Sequence, residues 1–243
     1  MITYDEALKK FEGETMEIMP TDKKRICIPV HNHVGSQEEE FTSWDGSKQK
    51  AVGYKFKCEN DGSDQLATAQ DGVLMCYEGT TPDGRVRSEA VKEYLDTHPL
   101  AAKTKSGVAK LVEFLNEITK EVRSDGVVRG DVYSTDLGFV SKKIVGAPAK
   151  EDIKPGQMIV GQKAAANTLK AIRIAEGVEF EGAPGTASGK EGTQKARKGG
   201  AYLVQDTVGD EKPIHLIQLE DFKKAYIVTK MPKGMAREGN VNE

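Results

Sequence analysis

The chain has 243 residues and a formal net charge of −3 at pH 7, with 37% hydrophobic and 30% charged residues. Such a composition can bury a sizeable core and excludes a disordered or fibrous chain. No apolar run approaches the roughly 20 residues that a membrane helix needs, so no membrane role is expected.

The N-terminal stretch MITYDEALKKFEGE has no basic flank leading into an apolar segment, so no secretory signal is expected. Three cysteines (Cys27, Cys58 and Cys76) are too few and too odd in number for a disulfide scaffold, which points to a reducing, cytosolic compartment. Residues 1–140 are net acidic and residues 141–243 net basic, a contrast that suggests two modules. Neither half is basic enough to demand a nucleic-acid partner.

In chain order, the first predicted element is a helix opened by a capping box of Thr3 and Glu6, with Ala7, Leu8 and Phe11 on its apolar side. RICIPVHNHV (25–34) then alternates in strand period: Ile26, Ile28, Val30 and Val34 face one way, Cys27, His31 and His33 the other. Pro29 suggests an edge strand. AVGYKFKC (51–58) and GVLMCYEG (72–79) read as further strands around the turn-rich ENDGSDQ. SEAVKEYLDTHP predicts a helix from Ser88 to the Pro99 stop, with Val91, Tyr94 and Leu95 on one face. The next helix has the clearest 3.6-residue period, through Val108, Leu111, Val112, Leu115, Ile118 and Val122, and is expected to run to Asp125–Gly126.

Short strands are expected after that helix, and GAPAKEDIKPG from about residue 145 reads as a linker. A strand at 155–162, an ambiguous segment and a Gly-rich stretch follow. Two final strands then lead into a helical turn that pairs Phe222 with Tyr226 at i, i+4.

GAPGTASGKE (182–191) has the look of a phosphate loop, but two defining positions fail. Glu191 stands where a Ser or Thr should hold magnesium, and Pro184 stands where the first glycine should be. A mobile surface loop is the expectation. Its basic residues Lys190, Lys195, Arg197 and Lys198 are candidates for contact with an acidic partner or a nucleic-acid backbone.

The other candidate site is the histidine strand. Residues two apart on a strand share a face, so His31 and His33 can present imidazoles to one ion, and Glu38 or Glu39 after a turn can complete the set. His31, His33 and Glu38, with Gly46, resemble the first motif of the cupin family. The resemblance implies a small β-barrel holding a divalent transition metal through His31, His33 and Glu38. The chain departs from that family in having Arg25 at the leading Gly position and Arg87 where a fourth ligand would stand.

Towards the C-terminus, KGGAYLVQD followed by LEDFKKAYIV (about residues 199–230) resembles a small module of uncharacterised phage-encoded proteins. It implies a two-strand-plus-helix core of Tyr202, Val204, Ile214, Leu216, Phe222 and Tyr226.

The expected fold is α+β. Residues 1–145 would form a mixed domain with two central helices on a largely antiparallel sheet. Residues 146–243 would form a smaller β-rich domain with a Gly-rich loop near 182–200. The expected function is non-enzymatic, that of a binding or structural accessory protein in the cytoplasm, or in the host cytosol or virion if phage-derived. It would act on a protein partner or by self-assembly, with nucleic acid as a lesser partner, no catalytic residue and no cofactor. The alternative is a metal-dependent cupin-like enzyme centred on His31, His33 and Glu38.

Overall fold

A computed structural model describes residues 1–13, 15–31, 37–42, 48–60, 62, 64–123, 125–164, 169–181, 193–205 and 214–232. The chain begins with α1 (Tyr4–Phe11), β1 (Met16–Pro20), β2 (Lys24–Pro29), β3 (Glu38–Thr42), β4 (Lys48–Lys57), β5 (Asp64–Thr68) and β6 (Gly72–Tyr77). Two longer helices follow, α2 (Arg87–Thr97) and α3 (Lys105–Thr119), and then β7 (Glu121–Val122), β8 (Val128–Arg129), β9 (Tyr133–Asp136) and α4 (Leu137–Lys143). The remainder is β10 (Ile159–Gln162), β11 (Leu169–Ile174), β12 (Glu179–Glu181), β13 (Thr193–Lys195), β14 (Ala201–Gln205), β15 (Ile214–Gln218), α5 (Leu219–Ala225) and β16 (Tyr226–Lys230). The fold is α+β, and its named strand pairs are all antiparallel.

Two sheets carry the architecture. One has four strands in the order β10-β2-β6-β9 and the other five in the order β15-β14-β11-β1-β16. Both combine strands from either side of residue 145: β10 pairs with β2, and β1 lies between β11 and β16.

The four-stranded sheet is covered on both faces, and its alternation shows why. On one face Ile26, Ile28, Val30, Leu74 and Cys76 pack with Val108, Leu111, Val112 and Leu115 of α3 and Val91 of α2. On the other, Cys27 and Val73 meet Leu137, Val140 and Ile144 of α4 and Ile153 after the 3₁₀ turn Lys150–Asp152. Helix α4 was not anticipated; it starts where the Asp136 carboxylate accepts a hydrogen bond from Phe139 N at 2.8 Å.

The capping box at Thr3 and Glu6 forms as expected. Pro29, by contrast, does not mark an edge, because β2 is an interior strand between β10 and β6. Pro29 is its last residue and takes part through its carbonyl, which accepts from Gly156 N at 2.8 Å, so the missing N–H is not needed there.

Helix α3 also ends sooner than its periodicity predicts, at Thr119 rather than near Asp125. The Thr119 hydroxyl donates back to the Leu115 carbonyl at 2.7 Å and accepts from Asp131 N at 2.9 Å, which anchors the segment beyond β8 against the helix end. The chain then turns through the β7–β8 ribbon around Gly126, at φ +78°, leaving Val122 71% exposed. The reward for the early stop is electrostatic: Glu121 and Arg123 enter a partly buried charge cluster described below.

In the five-stranded sheet, β14 is buried along its whole length. Ala201 and Leu203 face α1 and Phe180 together with Ile214 and Leu216, while Tyr202 and Val204 face Phe222, Ala225 and Tyr226. Tyr202 and Phe222 stack with ring centroids 3.7 Å apart, and Phe222 meets Tyr226 at 5.4 Å. The aromatic pairing expected from the spacing is present, although the six expected core residues divide between the two faces of the sheet. Tyr77 of β6 packs against this second cluster, bringing the two sheets together. No helix among the described residues is long and apolar enough to cross a membrane.

Candidate functional site

The junction of the two sheets encloses a cleft of about 260 Å³, just below the ~300–1,000 Å³ usual for small-molecule sites. One wall belongs to the four-stranded sheet and carries Arg25, Met75, Tyr77, Tyr133 and Thr135. A second comes from β15 and α5, with His215, Ile217, Asp221 and Ala225. Phe139 of α4, Lys163 after β10 and Gln65 of β5 also line it.

Strand parity places Arg25 here. It shares a face with Cys27, away from α3, and lies opposite Tyr77 on one side and Gly161 on the other. Gly161 is a requirement of packing: a Cβ there would sit 2.5 Å from the Val145 carbonyl oxygen.

Arg25 is 3% exposed. Its guanidinium lies over the Tyr77 ring at 5.0 Å, and its Nη2 donates to the Tyr77 hydroxyl at 3.4 Å. Its Nη1 has no hydrogen-bond partner, and no carboxylate among the described residues forms an ion pair with it. A buried cation left this way is costly, because desolvation is offset only by a cation–π contact and one long hydrogen bond. Lys163 adds a second cation, 5.9 Å from the Phe139 ring centroid. Burial pushes the Tyr77 hydroxyl above its ordinary pKa, against the pull of Arg25, so it remains a neutral donor and acceptor.

Asp221 belongs both to the cleft and to a polar cluster behind it. Its Oδ1 accepts from Arg123 Nη1 at 3.1 Å and its Oδ2 from Asn60 Nδ2 at 2.5 Å. The Asn60 amide also donates to the Tyr133 hydroxyl at 2.6 Å. Arg123 Nη2 lies 3.5 Å from Asp131, which is 1% exposed, but without hydrogen-bonding geometry. Lys224 pairs with Glu121, and Arg87 Nη2 reaches Glu121 at 3.2 Å.

Burial and the neighbouring Asp131 charge push the Asp221 carboxyl up to about 6, against Arg123 and the Asn60 hydrogen bond. Glu121 is desolvated too, but Lys224, Arg87 and Arg123 hold it below the ordinary carboxylate value. The cluster joins the ends of α3 and β4 to α5, and thereby one sheet system to the other.

The residues singled out from sequence lie elsewhere. His31 is half-buried at the end of β2, with Nδ1 unpartnered; burial lowers its pKa against an opposing pull from Asp71. His33 lies outside the described residues. Glu38 is exposed on β3 and lies 4.0 Å from Lys50. No group of three His, Cys, Asp or Glu side chains among the described residues is placed to hold a metal ion.

Lys190 and the stretch 182–191 also lie outside the described residues. Lys195 is exposed on β13 beside Glu179, at 3.9 Å. Arg197 and Lys198 border a small notch shared with Asn60 and Arg123, with room for about one water at roughly 10 Å³. The three cysteines are buried; burial lifts the Cys27 thiol to about 12 and also raises Cys76, which keeps both unreactive.

Sequence reasoning missed Arg25, Tyr77, Tyr133, His215 and Asp221 as one site. No protein-family model, curated protein or solved structure gives a significant match to this chain.

Proposed function

We propose that the protein is a non-enzymatic binding protein whose inter-sheet cleft takes up a small molecule. The observation that carries this reading is the cleft itself, a mixed cavity in which polar groups from both sheets converge among apolar side chains. That is the usual character of a small-molecule site: mostly apolar, with a few fixed polar groups. The charge cluster supports it: Arg123, just after β7, binds Asp221 of the α5 wall, and Asn60 links Asp221 to Tyr133 of the opposite wall. The walls are therefore held in place before a ligand arrives, which lowers the ordering cost of binding.

A catalytic reading would rest on Asp221, whose raised pKa lies in the range of acid–base groups. Both of its oxygens are engaged, however, by Arg123 and Asn60. That arrangement favours a structural role over proton transfer to a ligand.

The test is a fragment screen followed by NMR, on the full chain and on Thr135→Trp, which places an indole in the cleft away from the charge cluster. Hits are expected to shift resonances of Arg25, Tyr77, Tyr133 and His215 and to lose their effect in the variant. Hits that map elsewhere, or that bind Thr135→Trp equally well, would refute the proposal.

A further inference from the structure

We infer that the ligand of this cleft is an organic acid, its carboxylate held by the Arg25 guanidinium and its apolar body lying against Met75, Phe139 and Ile217. The inference rests on the cleft being a ligand site and adds the chemical class. Two cations, Arg25 and Lys163, line the cavity. The carboxylate that also lines it, Asp221, has its oxygens committed to Arg123 and Asn60.

Among the described residues Arg25 has only Tyr77 to answer its charge, and its Nη1 has no partner at all. Guanidinium and carboxylate match in charge and planar geometry, and an arriving carboxylate would give the buried cation the ion pair it lacks. A single arginine with one unpartnered nitrogen suits a monoanion. A phosphate dianion carries nearly two charges, more than the Arg25 guanidinium alone balances. The apolar part of the lining, with Met75, Phe139 and Ile217, suits an apolar body on that acid.

The experiment compares four probes with one common ring: benzoate, benzamide, benzylamine and phenyl phosphate. Each is titrated into the full chain at pH 7.5 and followed by NMR at the cleft resonances. Benzoate is expected to bind at least tenfold more tightly than benzamide, phenyl phosphate no better than benzoate, and benzylamine not measurably. In Arg25→Met, a substitution of similar length that removes the charge, benzoate should lose its advantage over benzamide. Arg25→Lys should retain part of the preference, and it guards against a fold effect specific to the Met variant.

Equal binding of benzoate and benzamide, a preference for benzylamine, or clearly tighter phenyl phosphate would overturn the carboxylate class and leave the cleft as a ligand site. If no probe shifts the cleft, or if Thr135→Trp binds all of them unchanged, the inference and the ligand-site reading fall together.

Discussion

Arg123→Ala should destabilise the protein by about 3–5 kcal/mol, the cost typical of removing one partner from a buried ion pair. Arg123 is 4% exposed and stands between Asp131, at 3.5 Å, and Asp221, at 3.1 Å. Deleting the cation leaves two carboxylates buried together, with Asn60 and the more distant Lys224 to answer them; Lys224 Nζ is 3.8 Å from Asp131. The penalty is mainly that of uncompensated buried charge, and a second variant can show this. The triple change Arg123→Met, Asp131→Leu, Asp221→Leu removes all three charges together and should recover most of the loss, because apolar replacement of a buried ion triad is often close to neutral. Urea denaturation at pH 7 measures both. A loss below 1 kcal/mol for Arg123→Ala would show that the cluster does not clamp the two sheet systems.

The second large effect concerns pH. The Asp221 carboxyl titrates near 6 in the folded protein, against ~3.9 for an aspartate in an unfolded chain. Between these values the native state binds more protons than the unfolded state, so this group lowers stability as pH rises from about 4 to about 6. A gap of two pH units corresponds to about 3 kcal/mol at full ionisation.

The groups facing Asp221 are Arg123, Asn60, Asp131 and Lys224, with Glu121 beyond Lys224. Glu121 works in the opposite sense: its lowered pKa contributes stability above the unfolded value that is lost as pH falls. Asp221→Asn should therefore remove the falling limb, so that stability at pH 7 relative to pH 4 rises by up to about 3 kcal/mol compared with the parent chain. Urea midpoints at pH 4, 5, 6 and 7 provide the comparison. An unchanged pH profile would place the Asp221 titration elsewhere.

Much of the fold is legible in the sequence because single elements announce themselves locally. Thr3 and Glu6 specify a cap, the apolar period from Val108 to Ile118 specifies α3, and the alternation of Ile26, Cys27 and Ile28 specifies β2. Periodicity, however, reports burial rather than backbone state. Val122 continues the helical spacing of α3 yet lies on β7, because Thr119 and the charge cluster end the helix first.

The cleft was far less legible, since it forms where side chains from residues 25 to 226 meet. No spacing rule connects Arg25 with His215. One local signal did exist: in RICIPV the arginine shares parity with Cys27, so a charged residue stands on an inward strand face. His31 and His33 are conspicuous because they lie two residues apart in sequence, whereas convergence in space is set by the pairing of β2 with both β6 and β10.

The most direct measurement is a crystal structure of the full chain grown with 4-bromobenzoate and recorded at the bromine absorption edge. The account predicts one strong anomalous peak inside the cleft, near Phe139 and Ile217, with the carboxylate on Arg25. Anomalous peaks confined to the protein surface, with the cleft filled by solvent, would contradict it.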